Sequence, residues 1–270
     1  YCPLAVNTDR LKRMFNDEYE VKNELYAGDI SFIGSMYNEK HNLYDRLCGV
    51  NDYTKGYLDA IMKVQRSIYG YFFLEDMLKG DVLDEMMRVC PVKPNEDGVE
   101  TVQYVYANYF LARRMATDER TDILSRVGRE LGRENKINLY TPDASVRFIN
   151  VNNKGTVDYY NEMPYVFRNS RINLNITLRS IKSGIPLRCM DICGAGGFLL
   201  SNYQADLYDV FVPGEDMVIY DSIDDLMNKC KYYLSHDAER RQIAQNGFGK
   251  IEEKHTYDVR FEEIFNRVFN

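Results

Sequence analysis

Short strand-like runs alternate with helix-like runs through the second half of this 270-residue chain, and that alternation constrains its fold more than any other feature. Lys136–Thr141 has a strand pattern that Pro142 stops. Arg171–Ile176 alternates polar and apolar residues and also reads as a strand. Gly197–Ser201 and Val218–Tyr220 are two further short strands. The spacing predicts a short helix over Asp158–Phe167, introduced by Gly155, and another over Pro186–Cys193 with Pro186 in its first turn. Ser222 caps a third helix start, with Asp225 three residues on. Ile223, Leu226, Met227, Cys230, Tyr233 and Leu234 then keep helical spacing, and a last amphipathic helix covers about 257–269. Strands linked by helices imply parallel β-α-β units, so the expected class is α/β, a parallel sheet flanked by helices. Sheets of this kind bind ligands beyond the carboxyl ends of their strands.

The first half reads differently. Asp29–Gly34 is a buried strand ending in a tight turn. From Tyr37 to Leu131 the pattern is mostly helical, with Leu58, Ile61, Met62, Ile68, Phe72 and Phe73 near helical spacing. Cys90–Gly98 is loop chemistry, and helices are expected over Val102–Ala116 and Asp118–Leu131. This stretch, about 40–131, is therefore expected to be a largely helical insertion after the first strand.

Composition excludes several classes. With 34 Lys+Arg against 41 Asp+Glu, the net charge of −7 argues against a polyanion-wrapping protein, because nucleic-acid affinity rests on neutralised phosphates. No apolar run approaches the roughly 18 residues of a membrane span, and residues 1–10 lack the layout of a secretory signal. The 6 Cys include no CxxC pair and only 3 His are present, which speaks against a zinc module and fits a reducing, cytoplasmic setting. The chain opens on Tyr1 rather than Met, so a fragment is expected.

The densest candidate for chemistry is Ser183–Gly197. Gly184 permits close backbone approach to a ligand, and the helix starting near Pro186 offers free N–H groups, which favour phosphate. Arg188 adds a planar donor fork, and Asp191, three residues on, lies on the same helical face, where its carboxylate can take two hydrogen bonds from a ribose diol. The plain alternative is a surface ion pair of Arg188 and Asp191, with Gly194–Gly197 merely a helix stop. Gly34 and Ser35 present backbone amides after the first strand, although on their own a plain strand-end turn is the better reading. No GxGxxG pattern supports a dinucleotide. Cys189 and Cys193, four apart, read as buried thiols; His255 reads as structural, and His41 and His236 as exposed. Asn175-Ile176-Thr177 matches a glycosylation sequon but overlaps a buried strand. The 22 Tyr, such as Tyr159–Tyr160 and Tyr232–Tyr233, read as half-buried helix packing rather than a sugar-stacking surface.

Several segments carry a family resemblance: GTVDYYNEMPYVFRNSRINLNITLRSIKSGIPLRCMDICGAGGFLLSNYQADL from Gly155, FVPGEDMVIY from Phe211, YYLSHDAERRQIAQNG from Tyr232 and HTYDVR from His255. Upstream, LAVNTDRL and ISFIGSMYNEKHNLYDRL add to it. Together they resemble the C-terminal domain of CgeB-like, spore-maturation-type glycosyltransferases of the GT-B group. The resemblance implies a Rossmann-like donor domain over 26–270, with 1–25 as a remnant of an absent acceptor-binding domain. It implies a nucleotide-diphosphate sugar as substrate, an unknown protein or glycan acceptor, and neither cofactor nor metal. Asp191 stands where related enzymes carry the second of two acidic residues spaced eight apart, and would hold the ribose; Ser183 stands in place of the first. By the same resemblance Arg188 and the backbone of Ile185, Pro186 and Leu187 would meet the diphosphate, faced by Gly34 and Ser35. Thr141 and Val157 would lie near the base, and the last helix, with Phe261, Ile264, Phe265, Val268 and Phe269, would pack on the absent domain. Two rivals stand beside this reading: a non-catalytic interaction protein that kept the fold, and an NAD-type oxidoreductase, which the missing glycine fingerprint disfavours.

Overall fold

A computed structural model describes residues 2–17, 19–38, 42–95 and 98–269. In chain order the elements are α1 (Thr8–Asp17), α2 (Tyr19–Tyr26), β1 (Gly28–Ile33), α3 (Asp52–Arg66), α4 (Leu74–Met77), α5 (Gly80–Val89), α6 (Val102–Val105) and α7 (Ala112–Leu131). There follow β2 (Ile137–Tyr140), β3 (Val151–Asn153), α8 (Met163–Asn169), β4 (Ser170–Asn175), α9 (Leu187–Gly194), β5 (Leu199–Asn202), β6 (Val218–Tyr220), α10 (Ile223–Ser235), α11 (Asp237–Lys254) and α12 (Tyr257–Phe269). The chain divides into two compact units, one of residues 1–34, 124–177 and 183–270, the other of 35–123 and 178–182. Helix α7 contributes to both.

The first unit is built on a six-stranded sheet in the order β3-β2-β1-β4-β5-β6, parallel throughout. This is the expected α/β, Rossmann-like class. Apolar residues from the helices close over it, among them Val166, Met190, Ile192 and Ile251, all at most 1% exposed. The sheet also buries polar side chains in register, and each needs a partner because desolvation is costly. Ser31 pairs with Asn173 across β1 and β4, and its hydroxyl donates to Asn173 Oδ1 at 2.8 Å. Asn173 Nδ2 in turn donates to the Phe167 carbonyl at 2.9 Å, tying the end of α8 to the sheet. At the carboxyl end, Thr177 and Asn202 exchange two bonds of 2.9 Å, which fix the chain as it leaves β4.

Residues assigned on sequence to an interdomain remnant belong to this unit: Val6, Leu11 and Phe15 enter its core. Val6 bridges to Thr256 and its amide donates to His255 O at 2.9 Å. Gly194 of α9 makes room for Val6, since a Cβ there would stand 2.5 Å from Val6 Cγ1. Gly247 of α11 lets that helix lie against the Asp216 carbonyl, 2.4 Å from the position a Cβ would take.

The second unit is helical. Its core holds Leu58, Leu74, Leu78, Met86, Tyr106 and Leu111, all at most 1% exposed. Asn51 caps α3, accepting from Thr54 N at 2.8 Å. Helix α3 ends at Arg66, short of the apolar spacing that ran on to Phe73, because fully buried Gln65 turns the chain. Its Nε2 donates to Tyr71 O and its Oε1 accepts from Phe73 N, both at 2.8 Å.

Four local expectations are corrected. The helix placed at Asp158–Phe167 is α8 at Met163–Asn169, because Asp158 Oδ1 accepts from the amides of Tyr160 and Asn161 at 3.1 and 2.7 Å and holds a turn instead. Tyr159 and Tyr160 are consequently not helical. Helical structure is continuous from Val102 to Leu131, through a π-helical turn at Tyr106–Leu111, with no break at Thr117. Pro186 caps α9 rather than occupying its first turn. Strand β3 and helix α11 were not expected at all: β3 is only Val-Asn-Asn, and the 18 residues of α11 mix 8 charged side chains with few apolar ones and two glycines.

Candidate functional site

The loop between β4 and α9 is shaped by Gly184, whose φ of +95° suits glycine, and by Pro186, whose φ of −57° leads into the helix. The first-turn amides of Leu187 and Arg188 have no intrahelical acceptor, so α9 points positive partial charge out of its start. Arg188 turns back to the sheet, where its Nη1 donates to the carbonyl of Ile33, the last residue of β1. The guanidinium lies 5.7 Å from the Phe167 ring centroid, and burial lowers its pKa. Arg188 therefore sits at the carboxyl edge of the sheet, half-buried.

One turn along α9, Asp191 faces Tyr159, whose hydroxyl lies 3.0 and 3.1 Å from the two carboxylate oxygens. Burial pushes the Asp191 carboxyl up to about 6, against the lowering effect of the Tyr159 bond and the Arg188 charge. Among the described residues Arg188 and Asp191 make no ion pair within 4.0 Å, so the surface-pair alternative fails: the two side chains have separate partners. Beside Asp191 opens a cavity of about 490 Å³ lined by Arg10, Leu11, Tyr159, Phe167 and Tyr257 among others. Carboxylate, phenol, guanidinium and aromatic faces in one concavity are suited to a polar, ring-bearing ligand.

The other candidates differ in what they offer. The Gly34 amide donates to Tyr140 O at 3.0 Å, so it is not the free N–H the sequence reading offered to a phosphate, and the Gly184 amide, at the position read as allowing close approach, is engaged by Asp206 Oδ2. Ser35 lies in the helical unit, where its Oγ accepts from Tyr37 N at 2.9 Å. Ile185 is buried in the core of the first unit and Leu187 is 37% exposed at the helix start. Thr141 directly follows β2 and is 1% exposed, and its Oγ1 meets no protein partner. Val157 is partly buried against the core.

The plainer readings also resolve. Cys189 and Cys193 are buried, and burial pushes Cys189 up to about 12, so both are inert thiols. His255 is 9% exposed with Nδ1 at 2.8 Å from Arg260 Nη2, a structural pair, and His236 is exposed; His41 lies outside the described residues. Asn175 spends its Nδ2 on Thr177 and Ser201 at 2.8 and 2.9 Å, so the sequon is unavailable. Sequence reasoning missed Tyr159 as a site residue. It stands 32 positions from Asp191, and only the Asp158 turn aims it there. Among the described residues no group of three or more His, Cys, Asp or Glu is arranged to hold a metal, and no helix is long and apolar enough to cross a membrane.

The chain is similar to known proteins in sequence pattern and in fold. The model of the glycosyl transferase-like family matches residues 113–266, more than half of the chain. A UDP-forming alpha,alpha-trehalose-phosphate synthase from Burkholderia xenovorans, solved in complex with glucose-6-phosphate, has a TM-score of 0.50 at 13% identity, over 100% of this chain and 51% of that one. The trehalose-6-phosphate synthase OtsA has a TM-score of 0.48 at 14% identity, over 98% of this chain and 50% of that one. Sucrose-phosphate synthase from Thermosynechococcus elongatus has 0.46 at 12%, over 99% and 52%. The chain thus spans about half the length of these structures. No curated protein matches it significantly. With its family model matched over most of the sheet-bearing unit, the chain belongs to the glycosyl transferase-like family.

Proposed function

We propose that this chain is the donor-binding half of a GT-B-type, CgeB-like glycosyltransferase, and that it binds a nucleotide-diphosphate sugar at the carboxyl edge of the sheet. The observation that carries this reading is the placement of Arg188 and Asp191 one turn apart on α9, the first on the Ile33 carbonyl and the second beside the 490 Å³ cavity. Family membership supports the transferase class. In this reading the Arg188 guanidinium and the first-turn amides of α9 meet the diphosphate, with the backbone of Ile185 and Pro186 shaping the approach. As the glycosidic bond to the leaving diphosphate breaks, charge grows on its oxygens, and preorganised donors there lower the barrier. Asp191 takes the ribose hydroxyls, and Thr141 and Val157 lie toward the base. Neither Gly34 nor Gly184 is given an amide contact, since both amides are engaged.

The acceptor, and any base that activates it, is assigned to a second domain of the full-length protein, working in the cytoplasm. The diphosphate charge is met by Arg188 rather than by a metal ion, so EDTA should leave nucleotide affinity unchanged. Titration calorimetry with UDP, GDP and their sugars tests the reading. Saturable binding of one of them, weakened in Arg188→Ala and Asp191→Ala, supports it. No binding of any, or unchanged affinity in both variants, overturns it.

A further inference from the structure

The cavity of about 490 Å³ beside Asp191 is closed on one side by helix α1, part of a stretch that the sequence reading placed outside the donor domain. Among the described residues that line it, Arg10 of α1 is the only cation and Asp191 the only carboxylate. Asp191 is taken up by the Tyr159 hydroxyl and does not neutralise Arg10. Arg10 is half-buried. Its Nη2 donates to the Tyr160 carbonyl and lies 3.9 Å from Met14 Sδ, and the guanidinium stands 5.5 Å from the Tyr160 ring centroid. These contacts hold the fork in place but leave Nε and Nη1 without an acceptor among the described residues, and neither atom is sealed from solvent.

The rest of the wall is apolar and aromatic. Leu11, Met163, Pro164 and Phe167 line it, together with Tyr160 and Tyr257, which are 62% and 49% exposed. Tyr159 and Tyr160 meet edge to face, their ring centroids 4.9 Å apart. Walls of this kind suit a flat heteroaromatic ring, which buries its faces against aromatic and apolar side chains and keeps its hydrogen bonds at the edge. They suit a diphosphate poorly, because its charge would leave water for a place with one cation to answer it. Arg188, which the donor reading gives to the diphosphate, does not line this cavity, whereas Asp191, one turn along α9, does.

We propose that Arg10 reads the base of the nucleotide donor and selects one with an oxo group, uracil or guanine, where cytosine and adenine carry an amino group. The inference rests on the donor reading and deepens it by naming the class of base. From a ribose on Asp191, the diphosphate leads toward Arg188 and the base enters the cavity. A guanidinium only donates, so it needs an acceptor at the edge of the base. An oxo oxygen supplies one, as when arginine forks onto guanine, while an amino group sets donor against donor. The tyrosine rings hold the faces of the base and leave its identity to Arg10.

Titration calorimetry with two matched pairs, UDP against CDP and IDP against ADP, tests it, because each pair exchanges oxo for amino on one ring. The chain should bind the oxo member of one pair at least about tenfold more tightly. Arg10→Met, which keeps the apolar stem, should bring the two members within about threefold of each other. It should also weaken the bare nucleoside as much as the diphosphate. Tyr160→Ala, which removes the ring beneath the guanidinium, should lower the same preference and serves as the second probe if Arg10→Met fails to fold. No preference in the parent, a preference that survives both variants, or a loss confined to the diphosphate overturns the inference. If Arg188→Ala and Asp191→Ala weaken binding while Arg10→Met leaves it unchanged, this inference falls and the donor reading stands. If no nucleotide binds, the donor reading falls and this inference with it.

Discussion

The Tyr159 hydroxyl spans both oxygens of Asp191, at 3.0 and 3.1 Å, and so occupies the face of the carboxylate that a sugar diol would need. The carboxyl is also held up at about 6 by burial. A ligand hydroxyl must share or displace the phenol, and the carboxylate has to be ionised to accept from it.

Nucleotide affinity should therefore depend on pH. It should rise as pH climbs from 5 to 7, with a midpoint near the Asp191 value of about 6. Because burial raises this carboxyl above its unfolded value, its effect on folding has the opposite sign: stability falls as pH rises from the ordinary carboxylate range through about 6. Calorimetry across that range in Asp191→Asn should show a flat profile. In Tyr159→Phe, which removes a bond that lowers the pKa, the midpoint should move upward.

Arg188→Ala should reduce affinity for a nucleoside diphosphate about 10- to 100-fold, the usual range for losing a charge-assisted hydrogen bond, while affinity for the nucleoside changes much less. Parallel titrations with UDP and uridine, or GDP and guanosine, measure the split. An equal loss for both would mean that Arg188 acts only by holding the Ile33 carbonyl.

Gly197→Ala should destabilise the fold by about 2–4 kcal/mol, in the range of overpacked core sites. A Cβ there would stand 2.6 Å from the Phe167 carbonyl and 2.8 Å from Asn173 Nδ2, the atom that ties α8 to the sheet. Urea denaturation of the variant against the parent checks this. Gly249→Ala, inside α11 with nothing within 4 Å of its added Cβ, is the control and should stabilise slightly, by about 0.5–1 kcal/mol, through helix propensity.

Cysteine reactivity should separate the thiols by burial. Cys2 and Cys48 are exposed and should react with an aromatic disulfide reagent in the native state, whereas Cys189, Cys193 and Cys230 are buried and should react only on unfolding. Burial also holds Cys189 and Cys230 up at about 12, so little thiolate exists near neutral pH. Time-resolved thiol counts with and without urea distinguish the two groups.

Five of the six strands were legible in the sequence, because a short apolar run between turn residues needs no distant information. So was α10, whose Ser222 cap accepts from Asp225 N at 3.0 Å as its spacing implied. Helix α11 was hidden because its fit rests on Gly247 against Asp216, a contact no periodicity reveals. In the candidate site, Arg188 and Asp191 were visible as neighbours on one helix. What each touches was not, because hydrogen-bond partners such as Ile33 and Tyr159 come from other elements.

By itself, then, the sequence determined the α/β class, the helical character of the stretch after the first strand, and the helix face on which Arg188 and Asp191 lie. Those are local properties, set by residue spacing and backbone preference. The tertiary structure alone decided which amides remain available: the Gly34 and Gly184 N–H groups are consumed by Tyr140 and Asp206. It alone turned Tyr159 onto Asp191 and brought Arg10 to the same cavity. Partner identity, burial and the pKa shifts that follow from them exist only once distant segments pack together.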